Sequence, residues 1–140
     1  MGHFFNAPPV PPLPLTRQSA FDFVVEMMRQ RGYKRATRKD GGIANGGCVY
    51  RTDEGLPCAI GGLIQDLYDP AMDKEQTNVA ELCAMSPAVA ERLFPLGDGF
   101  CNSLQHLHDA DEQEGGFEFR AELFAQHLGL TFTPLQGASK

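Results

Sequence analysis

Four cysteines, at positions 48, 58, 83 and 101, and four histidines are the residues of this chain best suited to hold a soft metal or to attack an electrophile. A zinc site needs its donors in close pairs such as Cys-x2-Cys, and here the successive cysteines stand 10, 25 and 18 residues apart. His106 and His108 are two residues apart on an expected helix and so lie on different sides of it. Cys101 and His108 share a face about two turns, roughly 10 Å, apart. No bound metal and no cofactor are expected. A thiol nucleophile is the sharper alternative: Cys58 precedes an expected helix start, where the dipole favours a thiolate, and His108 with Asp109 could complete a Cys/His/Asp arrangement. Against it, a cysteine between Pro57 and Ala59 at the end of a hairpin behaves as a small buried hydrophobe. The balance leans away from an enzyme.

The segment that carries Cys58, "CVYRTDEGLPCAIGGLI" from 48 to 64, reads as a hairpin turning into a helix. Asp53-Glu54-Gly55 supplies the turn between "CVYRT" and "LPCAI", and Gly55 can take the left-handed position. Tyr50 shares a face with Cys48, and Arg51 shares one with Val49, so the two cannot point the same way on a regular strand. Tyr50 is assigned to the helices. Arg51 is assigned to a polar strip of Gln105 and Asp109, to anchor the fold or hold a ligand anion. "DGGIANGG" at 40–47, just before it, fits neither a Walker A nor a dinucleotide fingerprint, since it leads into a strand and no Gly-Lys-Ser/Thr follows.

Helices supply the rest. Thr16 caps a first helix with Ala20, Phe21, Val24, Val25 and Met28 on one face, stopped by Gly32. The basic residues from Arg29 to Lys39 read as a solvated helix end, with an anionic ligand as the alternative. "GGLIQDLY" turns helical from Ala59 or Gly61 and stops before Pro70. Asn78 with Glu81, Ser86-Pro87 and Asp98 open three further helices, and Gly129 ends the last. In the helix from Asp98, Phe100, Cys101, Leu104, Leu107 and His108 face inward, whereas Asn102, Gln105, His106 and Asp109 form a polar strip. His108 on the apolar side reads as a satisfied core histidine.

The resulting fold class is α+β, mainly α: a small helical domain of about five helices with one β-hairpin near residues 48–60. Residues 1–15 form a Pro-rich arm of polyproline II character, 16–133 a single globular domain and 134–140 a tail. The arm contains Pro-x-x-Pro spacings, but Arg17 falls one position too far from Pro14 for the common SH3-ligand pattern.

Composition narrows the partners. The 140 residues are 42% hydrophobic and carry 12 Lys plus Arg against 18 Asp plus Glu, a net charge of −6. No basic face is expected to neutralise a duplex, so direct DNA binding is not expected. The N-terminal apolar stretch is broken by five prolines and lacks a leading cation, and no uncharged run is long enough for a membrane span. A soluble, cytoplasmic protein with reduced thiols is expected.

The blocks "CVYR-x3-G-x2-CAIGGLI-x-D-x-Y-D-P-x-M" and "LQ-x-LHD" resemble the signature of a family of small uncharacterised bacteriophage and prophage proteins. The resemblance spans about Phe21 to Leu130. Two departures are visible: Gly62 stands where the pattern carries another cysteine, and "DKE" replaces an acidic-glycine pair after Met72. The resemblance implies a viral setting, in a bacterial host cell, more than a chemistry. Three functional classes follow. The first is a binding protein that inhibits a host process such as defence, through Tyr50, Arg51, Gln105, His108 and Asp109; it would bind a host protein or sequester a small anionic, nucleotide-like ligand, in a pocket between subunits if it forms a homo-oligomer. The second is a thiol hydrolase or transferase using Cys58 and His108. The third is a structural or regulatory accessory protein.

Overall fold

Local chemistry starts the first helix as the sequence suggests. In the computed structural model, which describes residues 8–33, 57–69, 72, 79–109 and 114–134, Thr16 caps α1 (Arg17–Gln30). Its hydroxyl accepts from Ser19 N–H at 2.9 Å while Ser19 Oγ accepts from Thr16 N–H at 3.0 Å, a reciprocal box that satisfies two otherwise orphan donors. The other end closes by a Schellman motif: Gly32 N–H donates to Arg29 O and Tyr33 N–H to Met28 O, with Gly32 at φ +70°. Tyr33 also sits at positive φ, +66°, where a side chain costs about 1 kcal/mol. Its ring packs on Phe117 at 5.5 Å between centroids and its hydroxyl donates to Glu118, contacts that hold it there.

Among the described residues five helices follow: α2 (Ala59–Leu63), α3 (Val79–Met85), α4 (Pro87–Leu93), α5 (Asp98–Asp109) and α6 (Glu114–Leu128). Ser86 caps α4 with proline at its first position, and α6 ends in Gly129 at φ +71° with Leu130 N–H returning to Ala125 O. Asp98 is the first residue of α5 and not its cap, since Cys101 N–H donates to Gly97 O. α5 packs against α1, α2, α3 and α6, so the apolar face read from its sequence becomes the middle of the molecule: Phe100, Cys101, Leu104 and Leu107 are all buried.

The described residues are helical and contain no strand. Most of the expected hairpin, residues 48–56, lies outside them. Its end is corrected: the hairpin expected to run to residue 60 gives way at Ala59, the earlier of the two expected helix starts, because Cys58 caps α2 there and Ala59 and Ile60 form its first turn. α2 is also shorter than the "GGLIQDLY" reading, ending at Leu63 with turns from Ile64 to Leu67.

Both flanking segments touch the core. Leu15 is buried, Val10 packs against the core, and Gln65 Nε2 donates to Pro8 O at 2.9 Å. After α6, Phe132 meets Phe21, and Thr131 exchanges two hydrogen bonds with the Gln18 carboxamide. No helix among the described residues is long and apolar enough to cross a membrane.

Candidate functional site

A five-residue helix with two adjacent glycines cannot stand alone, because nucleation costs more than one turn of hydrogen bonds returns. α2 is held by its surroundings: all five residues are buried, and two N–H groups of its first turn receive partners from side chains. Cys58, in extended backbone, accepts from Gly61 N–H through Sγ at 3.2 Å. Gln105, on α5, accepts from Ile60 N–H through Oε1 at 3.3 Å. A thiol thus takes the capping place usually filled by a hydroxyl or carboxylate.

Arg31 closes the same corner from α1. It is only 8% exposed, and its Nη1 donates to the carbonyl of Pro57, the residue before the cap. Burial pulls its guanidinium down to about 10, with the adjacent Cys58 sulfur acting in the opposite direction. The end of α1, the start of α2 and the middle of α5 therefore meet at one point. The corner lies beside Tyr33 and Pro57, which bound the described residues on either side of 34–56.

Of the residues singled out in the sequence, Cys58 and Gln105 are brought together here. Cys48, Tyr50 and Arg51 lie outside the described residues. His108 and Asp109 form the last turn of α5, three and four residues beyond Gln105, and their side chains lie outside what is described. Chemically, Cys58 is 1% exposed and engaged as a cap, a geometry that hides the sulfur from an electrophile. Gln105 has one acceptor position of its carbonyl engaged by α2, which orients its Nε2 donors.

Of the remaining described thiols, Cys101 is buried and Cys83 half-buried. Burial pushes Cys101 up to about 12, with Cys83 and Asp98 adding to the effect against Arg17. Burial also raises Cys83. No group of three or more His, Cys, Asp or Glu among the described residues could hold a metal ion. Gly62 lies against α1: a Cβ there would sit 2.8 Å from both Met27 Sδ and Phe23 Cε2. A thiol at 62 does not fit this packing without displacing those side chains.

Arg31 and Arg29 escaped the sequence reading, which placed both in a solvated basic cluster. Arg29 instead binds Glu118 of α6 through two hydrogen bonds, and Arg31 is buried. Nothing local marks either one, since their partners are 89 and 26 residues away. No family model, no curated protein and no solved structure matches the chain.

Proposed function

We propose that this chain is a small binding protein of bacteriophage or prophage type that inhibits a host process by occupying a host protein or sequestering a nucleotide-like anion. Its recognition surface is formed by Tyr50, Arg51, Gln105, His108 and Asp109. The observation that supports this reading is the Ile60 N–H to Gln105 Oε1 bond. Through it the two signature blocks, 45 residues apart, act as one unit, with Cys58 spent on capping. That leaves polar and cationic groups of the blocks for recognition, and a guanidinium such as Arg51 suits phosphate or carboxylate bidentately.

The experiment is affinity capture from bacterial lysate, with mass spectrometry of retained proteins and small molecules. Retention of one species by the wild type and by Cys58→Ser, and its loss in Arg51→Ala, is the expected result. Electrophile labelling of Cys58 ahead of the other thiols, with activity lost in Cys58→Ser at unchanged melting temperature, would replace this reading with the thiol enzyme.

A further inference from the structure

α5 presents Gln105 to α2, and about half a turn around the same helix it presents Ser103, His106 and Leu107 to a groove shared with α6. The groove encloses about 700 Å³, within the ~300–1,000 Å³ range of small-molecule sites. Its floor is Leu107, Leu123 and Phe124. The Phe124 ring is fixed from below, stacked on Phe21 at 5.5 Å and edge-on to Phe100 at 5.9 Å, so the floor is preformed. Its rim carries Arg120, His106 and His127, and among the described residues no Asp or Glu lines it.

That charge pattern runs against the molecule, whose net charge is −6. It also sets this groove apart from two other clefts. A cleft of about 450 Å³ beside Leu13 and Pro14 contains Arg92, but Asp66 already binds that guanidinium at 2.5 and 2.9 Å, and Glu91 lines the wall. A cleft of about 280 Å³ contains Arg29, already bound to Glu118, together with Asp22 and Glu26. Arg120 differs: it is exposed, and no carboxylate among the described residues pairs with it.

We infer that the α5/α6 groove binds a small organic anion with an apolar body, the body on Leu107, Leu123 and Phe124 and the anionic head on Arg120 with His106 and His127 as further donors. An uncommitted guanidinium at the end of a preformed apolar floor selects such a ligand, since the body is removed from water and the head gains a charge-assisted bond. The inference does not rest on the recognition surface proposed above and stands or falls separately.

Titration of the ¹⁵N-labelled full chain with octanoate, octan-1-ol and octylammonium, followed by amide shifts, tests this. Octanoate should perturb α5 and α6 around the groove, octylammonium should not, and octan-1-ol should bind more weakly. Arg120→Gln, a change at an exposed position, should weaken octanoate roughly tenfold, and Leu123→Asp should abolish its binding. Equal binding of octanoate and octan-1-ol unaltered by Arg120→Gln would overturn the proposal, as would shifts elsewhere or none at millimolar ligand. A concentration-dependent dimer that loses its contact in Leu123→Asp would also overturn it, by assigning the exposed Leu123 to a second copy.

Discussion

Arg29 of α1 and Glu118 of α6 form a two-pronged ion pair, Nε to Oε2 at 2.9 Å and Nη2 to Oε1 at 2.6 Å, and the Tyr33 hydroxyl donates to the same Oε2 at 2.9 Å. Arg29 Nη2 also donates to Thr133 O and its guanidinium lies over the Phe132 ring. One cation thereby ties the end of α1, the start of α6 and the segment after α6 together. Both side chains are 17% exposed, which places the pair between a screened surface bridge and a buried one.

Glu118→Gln should lower stability at pH 7 by about 1–2 kcal/mol in urea unfolding, as expected for a charge-assisted hydrogen-bond pair that is partly exposed. Burial pushes the Glu118 carboxyl up, but the bonds from Arg29 and Tyr33 outweigh it and hold it below its ordinary value. The carboxylate's contribution is therefore fully present above the unfolded value of about 4.3 and is lost as pH falls through the lower folded value. Wild type and variant should converge in acid. A constant difference from neutral to acid pH would contradict this assignment.

Leu15→Ala should cost about 2–4 kcal/mol, because Leu15 is 2% exposed in the core although it closes the Pro-rich arm. Thermal or urea melts check it. A change below about 0.5 kcal/mol, the usual range for surface sites, would place Leu15 outside the core.

Gly62→Cys should destabilise by about 1–3 kcal/mol through overpacking against Phe23 and Met27. The variant should gain no stoichiometric zinc by elemental analysis. Met27→Ala should cost less in this variant than in the wild type, since it clears one of the two 2.8 Å contacts.

Much of this architecture is legible because it is local. Thr16, Ser86-Pro87 and Gly129 act on residues within one turn, and the buried face of α5 follows from its 3.6-residue period. The corner that defines the candidate site is not local. Cysteine is rarely read as a cap, so the hairpin and helix readings overlapped at Ala59 and Ile60. The basic run at the end of α1 looked solvated because nothing nearby shows that Arg31 meets Pro57 or that Arg29 meets Glu118. Gln105 is half-buried, and its engagement with Ile60 depends on how α5 crosses α2.

Cys58 and Cys101 should resist iodoacetamide in the folded protein and react after denaturation, as peptide mapping by mass spectrometry would show. Both are at most 1% exposed, and burial holds the Cys101 thiol protonated well above neutral pH. Rapid folded-state labelling of either would indicate local opening that this packing does not provide.

The central claim is that the two signature blocks form a recognition surface on a scaffold capped by Cys58. It is tested most directly by measuring, for Arg51→Ala and Cys58→Ser in parallel, the amount of the species captured from host lysate and the melting temperature. The account predicts that Arg51→Ala loses capture at nearly unchanged melting temperature, while Cys58→Ser melts several degrees lower, for a cap worth about 1 kcal/mol, and still captures at low temperature. Capture lost in Cys58→Ser with its melting temperature intact, and retained in Arg51→Ala, would contradict it.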